Sequence, residues 1–451
     1  MVYYSFARTD TTVFWGGEGH ADENEYAAST SAPSQAMQHF RTHALRRELL
    51  TCPMNNDPGA SIQLLRNAIA QTTKTTLRLW SDWDCQSFGR TSFILWPWVK
   101  QDETSMLMAH YCADPLGVVR ASSPADADIA VLPFEGSCLM NQPYRNADAN
   151  AVRYAQNFVA QAKSHGLATL VLDAGDSSDV FPIDFDIVLR HSVDAAARSP
   201  VTHCMPGWFD AAQNADPAHV ITPSPRKALP TVGFCGQSAS SGVRHVLSQS
   251  RKVLRRAAAG RLSAAYHTMT APLIPTSPGK DGVDALRLRR SVLHHLHQSN
   301  RLHARFVVRN HYFASAHDKQ RARDEFVANI VSSDYAICVR GFGNFSFRFY
   351  DALSNGRVPA LIDTDCSLPF DDTLDYARIL PVIPITQIHR AADIIADHYH
   401  SFSDAQWNDL LRLLRELYLS LLTPRSFFGN LSRLSAVKTV HTRRAYATTP
   451  A

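Results

Sequence analysis

A chain of 451 residues is too long for one ordinary domain, so two are expected. Apolar residues make up 45% of it, enough for a large core in each, and a net charge of only +4 argues against a general nucleic-acid binder. No run of about 20 apolar residues suggests a membrane span, and no basic-then-apolar leader stands at residues 1–17. The expectation is therefore a cytoplasmic protein with at most a peripheral membrane association.

Eight cysteines are dispersed without any CxxC pair, which argues against a zinc ribbon or a redox motif. Cys138, Cys235 and Cys338 lie in or beside apolar runs and read as buried free thiols in a reducing compartment.

In chain order, residues 1–60 are poorly defined, with a small polar stretch at 27–36 and a helix expected at 38–50. Residues 61–72 carry Ile62, Leu65 and Ile69 at helical spacing. A strand is expected at 75–80 (TTLRLW) and a helix over 105–116, broken at Pro115. The pattern then becomes regular. A strand at 128–133 (DIAVLP) precedes a helix over 147–165 closed by Gly166. A strand at 168–172 runs into Asp173-Ala174-Gly175-Asp176, and another follows at 185–189. Strands alternating with helices imply a mostly parallel sheet.

Residues 222–230 (TPSPRKALP) hold three prolines and read as the linker between a first domain, 61–225, and a second, 226–430. The second begins with a strand at 231–235, a glycine/serine loop at 236–242 and a basic helix over 243–259. A strand at 305–308 and a helix over 319–330 follow. Residues 339–361 are the most informative: VRGFGNFSFRFYDALSNGRVPAL. The strand at 334–338 meets a turn whose Gly341 and Gly343 let the backbone approach a ligand. Ser346 is a candidate N-cap for a helix over 347–354, Gly356 is its terminator, and a strand restarts at 357–362. Strand, glycine loop, helix and strand form half of a nucleotide-binding sheet. Arg340 and Arg348 beside a helix N-terminus suit a diphosphate. Helices over 391–398 and 403–422 and a mobile basic tail, 431–451, complete the reading.

Ser333, the apolar 336–338, Arg340, Gly341, Gly343, Ser346, Arg348, Tyr350, Asp351-Ala352-Leu353, Gly356, Pro359 and Leu368-Pro369-Phe370 together resemble the signature of exostosin-like glycosyltransferases. Residues 124–137 (PADADIAVLPFEGS) resemble that family's P-x-x-A-D-x-x-x-V-P-F segment, with Leu132 in the Val place, and 231–236 resemble the strand that opens its second domain. The likeness covers about residues 75–425 and is strongest in the second half. It implies an α/β protein of two facing Rossmann-like domains, the GT-B arrangement. It also implies a nucleotide-diphosphate sugar, UDP- or GDP-linked, in the second domain, a glycan or polysaccharide acceptor in the first, inversion at the anomeric carbon, and no tightly bound metal. One departure stands out: the family's Glu before Ala-Leu is Asp351, one methylene shorter.

The chemistry requires a stabilised leaving diphosphate and a base for the acceptor hydroxyl. Arg340, Gly341, Gly343, Ser346, Gly236 and Arg244 are expected around the donor, with Arg348 on phosphate and Asp351 on ribose. Asp173, Asp176 and Glu135 follow strands at the ligand-facing edge of the first sheet and are candidate catalytic carboxylates; His191 and His203 are further options. Asp363-Thr364-Asp365 spells a metal-binding D-x-D but reads better as a turn. The alternatives are a degenerate, non-catalytic sugar-nucleotide binder and another nucleotide-using enzyme such as an epimerase or a dehydrogenase. The third glycine of a dinucleotide fingerprint is replaced by Ser346.

Overall fold

The computed structural model describes residues 57–71, 76–85, 88–99, 106–141, 146–208, 226–238, 285–309 and 316–438. The expected loop at 27–36, the helices at 38–50 and 243–259, and Arg244 lie outside them.

Eleven strands among the described residues form two sheets. The first holds β1 (Leu77–Trp80), β2 (Val118–Arg120), β3 (Ile129–Val131), β4 (Ala168–Asp173), β5 (Ile187–Arg190) and β6 (Thr202–Cys204), in the order β2-β1-β3-β4-β5-β6. The second holds β7 (Thr231–Gln237), β8 (His303–Arg309), β9 (Tyr335–Cys338), β10 (Val358–Asp363) and β11 (Val382–Pro384), in the order β11-β10-β9-β7-β8. Every pairing between these strands is parallel. Counted from its own first strand, each sheet winds 2-1-3-4-5, with β6 added at the edge of the first. The winding reverses between β1 and β3 in one sheet and between β7 and β9 in the other. Ligands of such sheets bind beyond the C-terminal strand ends at this reversal.

The central strands β3, β4, β5, β9 and β10 are buried almost throughout, which is why they read as continuous apolar runs. The helix Ala149–Ser164 starts where Asp148 accepts the amides of Asn150 and Ala151, and ends at Gly166, whose φ is +68°. The helix Phe347–Ser354 and its terminator Gly356, φ +56°, lie where the spacing set them.

The strands β1 to β6 fall within residues 61–225 and β7 to β11 within 226–430, but the packing does not separate the two. One apolar cluster runs from Leu79, Leu170 and Leu189 through Phe234, Ile337 and Phe349 to Leu414 and Phe428. The helix Asp404–Leu417, opened by a Ser403–Gln406 capping box, crosses back onto the helix Pro58–Ala70, with Arg66 Nη2 3.0 Å from Asp409 Oδ2. Residues 431–438 are not a mobile tail: Leu431, Leu434 and Val437 are buried, and Arg433 donates to the Ala68 carbonyl at 3.2 Å. The amphipathic spacing of these three apolar residues accounts for this. No helix among the described residues is long and apolar enough to cross a membrane.

Candidate functional site

The C-terminal ends of the two sheets meet. At the reversal of the second sheet, β7 ends in Gly236-Gln237 and β9 runs into Arg340-Gly341-Phe342-Gly343-Asn344. The glycine loop is pinned internally: the Gly341 amide donates to the Phe345 carbonyl at 3.1 Å, and Arg340 Nη2 donates to the Phe342 carbonyl at 2.9 Å. Arg289, from the helix Ala285–Gln298, donates to the Gln237 carbonyl at 3.2 Å and to the Arg340 carbonyl at 2.9 Å, joining the two strand ends. Ser346 occupies the N-cap position but makes no side-chain capping bond.

The first sheet contributes three carboxylates, and the structure separates their roles. Asp176 is exposed, yet it stands against Gly343, and the Gly343 amide and the Arg340 guanidinium both favour its ionised carboxylate. Partial burial pushes its carboxyl up, against the opposing pull of that amide and that guanidinium. A Cβ added at Gly343 would stand 2.8 Å from Asp176 Oδ1 and 3.0 Å from Asp176 Cα, so the two loops touch because this residue has no side chain. Asp173, wholly buried, pairs with Arg190 across 3.5 Å and accepts the Gly175 amide at 3.0 Å. Glu135 is also buried, at the reversal of the first sheet. Burial holds its carboxyl up at about 8, with Arg90 pulling it down and Asp173 pushing it up. Asp173 and Glu135 are therefore beneath the surface, and Asp176 alone of the three is in reach of a ligand. His191 and His203 are buried and held down at about 4 by that burial, so both are neutral at physiological pH. His191 packs its ring against Phe345, Phe347 and Trp208.

A seam of polar bonds runs beside this contact. Asn344 is 1% exposed. Its Nδ2 donates to Asp194 Oδ1 at 2.5 Å and to the Thr364 carbonyl at 3.1 Å, and its Oδ1 accepts the Thr364 hydroxyl at 2.6 Å. The Asn344 amide donates to Ser192 Oγ at 2.8 Å, and Ser178 Oγ donates to the far oxygen of Asp194 at 2.6 Å. Asp194 and Cys366 form an antiparallel bridge, and Asp365, at φ +66°, receives the Ala195 amide on its carbonyl and the Ala196 amide on its carboxylate. A cavity of about 10 Å³ lies behind the loop, bounded by Arg340, Ser346, Thr364 and Ser367. That is room for one water and not for a nucleotide.

Two expected donor contacts are corrected. Arg348 does not face a diphosphate: its guanidinium donates to the Cys235 carbonyl at 2.7 Å and the Ile337 carbonyl at 3.2 Å, 4.3 Å over the Phe234 ring. Gly236 is close to the same group, since a Cβ there would meet Arg348 Nη2 at 3.0 Å. Asp351 is buried with Arg323 Nη2 3.5 Å from its Oδ1, not open to a ribose. Arg348 and Asp351 do share a helix face, but the helix turns that face inward against β7 and the helix Ala316–Val331. Sequence spacing fixes the shared face and not its direction. Asp363-Thr364-Asp365 is the turn it was read as, with Asp363 Oδ1 accepting the amides of Asp365 and Cys366. Among the described residues no group of three His, Cys, Asp or Glu is set to hold a metal ion. Cys138, Cys235 and Cys338 are buried free thiols.

Sequence reasoning missed Arg289, Asn344 and Asp194. Arg289 lies in an LRLRR run that reads as a solvated helix face. Asn344 opens an Asn-Phe-Ser glycosylation sequon, but its burial with both ends of its amide bonded leaves no room for a glycan. No protein-family model matches the chain.

Proposed function

We propose that this protein transfers a sugar from a nucleoside-diphosphate sugar, UDP- or GDP-linked, to a glycan acceptor with inversion at the anomeric carbon. The observation that carries the reading is the meeting of Asp176, from the first sheet, with Arg340 and Gly343, from the second, at the topological reversal of a doubly wound sheet. Such a meeting supplies the two opposed demands of glycosyl transfer at one point: a base, and positive charge for a leaving group.

In this reading Asp176 takes the proton from the acceptor hydroxyl as its oxygen bonds to the anomeric carbon. The bond from that carbon to the β-phosphate oxygen breaks with its electron pair going to the diphosphate. Arg340 and the amides of the glycine loop stabilise the charge that develops. Glu135 and Asp173 lie under this site and tune its field without touching substrate. The donor lies on the outer side of the glycine loop, since the cavity behind it holds no more than a water. A cytoplasmic setting, with a peripheral approach to a membrane-bound acceptor, fits this chemistry.

Asp176→Asn tests the reading. The isostere keeps an acceptor for the Gly343 amide, so the fold and calorimetric binding of UDP or GDP should hold while transfer falls by about 100-fold or more. Full transfer activity in Asp176→Asn would remove Asp176 as the base. Failure of UDP, GDP and their sugars to bind the wild-type protein would remove the transferase reading itself.

A further inference from the structure

At the tip of the glycine loop Phe342 is 93% exposed. Isolated apolar side chains on a surface are ordinary. This one differs in three respects. Its loop is held at both ends, by Arg340 on the Phe342 carbonyl and by the close packing of Gly343 on Asp176 and on the Phe345 ring. Gly341 and Gly343 flank it, so no neighbouring side chain covers either face of the ring. It stands beyond the C-terminal end of β9, next to the exposed carboxylate that the proposed reaction uses.

An exposed aromatic ring on a pinned loop, beside a carboxylate and a guanidinium, matches a pyranose. The sugar's axial C–H groups form an apolar face that lies flat on an aromatic ring, and its hydroxyls, at the rim, donate to a carboxylate and accept from a guanidinium. We infer that Phe342 is the platform on which a pyranose ring is oriented at this site. The inference rests on the transferase reading and adds a positioning residue to it. The ring comes from the donor, where the sugar hangs directly from the diphosphate beside the loop amides, or from the acceptor, whose hydroxyl must approach Asp176.

The test compares wild type, Phe342→Ala, Phe342→Tyr and Phe342→Trp by isothermal calorimetry. The probes are UDP, UDP-glucose, GDP, GDP-mannose, and cellobiose and N,N′-diacetylchitobiose as free saccharides. Because the ring is nearly all in water, its removal should leave the melting temperature unchanged. A platform for the donor sugar weakens the sugar nucleotide about tenfold in Phe342→Ala and leaves the bare diphosphate unaffected. A platform for the acceptor weakens a saccharide about tenfold and neither nucleotide. Tyr and Trp restore the affinity in both cases. Equal weakening of a diphosphate and its sugar would assign the ring to the nucleobase and overturn the inference, as would unchanged affinity for every probe. Nucleotide binding by the wild type with no dependence on residue 342 would thus defeat the platform alone, whereas no binding of any probe would defeat the transferase reading and the platform with it.

Discussion

Asn344 Nδ2 lies 2.5 Å from Asp194 Oδ1, joining the glycine loop of the second sheet to the segment after β5 of the first, with neither group open to solvent. A buried charge-assisted bond of this kind costs most when one partner is removed alone. Asn344→Ala and Asp194→Ala should each lower stability by about 2 kcal/mol or more, and the double variant by less than their sum. Chemical denaturation of the cycle checks this; strict additivity would show that the two residues act independently.

Arg348 and Arg340 should separate stability from binding. The sequence places Arg348 on phosphate, whereas its guanidinium donates to the Cys235 and Ile337 carbonyls. Truncating Arg348 strands the Cys235 and Ile337 carbonyls and should cost about 3 kcal/mol, with nucleotide affinity of the folded protein little changed. Arg340→Ala should weaken UDP or GDP binding about tenfold or more. Matched calorimetry and urea melts distinguish the two.

The two loop glycines should respond differently to alanine. At Gly343 a Cβ would stand 2.7 Å from the Phe345 ring and 3.0 Å from Asp176 Cα, whereas at Gly341 its nearest neighbour is Arg289 Nη2 at 3.9 Å. Gly343→Ala should therefore destabilise by about 1–3 kcal/mol and displace Asp176, lowering transfer. Gly341→Ala should be close to neutral in melting temperature. Equal effects would remove the close approach at Gly343 as the reason for its identity.

Glu135 makes stability depend on pH in an unusual direction. Its folded carboxyl stays protonated to about 8, against an ordinary value of 4.5, so between these limits the folded state binds the extra proton. Its contribution therefore falls as pH rises across that window, by at most about 1.4 kcal/mol per unit, and is constant below it. Glu135→Gln removes the dependence: its melting temperature should match the wild type near pH 4.5 and exceed it increasingly towards pH 8. A gap that narrows with pH would contradict the buried acid.

The alternating α/β pattern was legible because each central strand is an unbroken apolar run and two of the helices end at a glycine with positive φ, Gly166 and Gly356. The edge strands β2, β6 and β11 were not, since three residues carry no periodicity. In the site, Arg340, Gly343 and Asp176 were named from their positions after strands, which the fold makes into neighbours. Arg348 and Asp351 were misassigned because a helix's two faces are alike in spacing, and only the packing of β7 and the helix Ala316–Val331 decides which one turns inward. The seam at Asn344 and Asp194 joins residues 150 apart, beyond any local signal.

The return of the helices after residue 404 onto the helix Pro58–Ala70 has a consequence for how the chain matures on the ribosome. The cover of the helix Pro58–Ala70 is Asp404–Leu417, Trp208 Nε1 donates to the Leu422 carbonyl at 2.8 Å, and Arg425 bonds Asp114. The early half emerges with this apolar side bare and stays so until residues 404–425 have been made, an interval of tens of seconds at ordinary elongation rates. Nascent chains stalled before residue 404 should lean on chaperones that full-length chains no longer need.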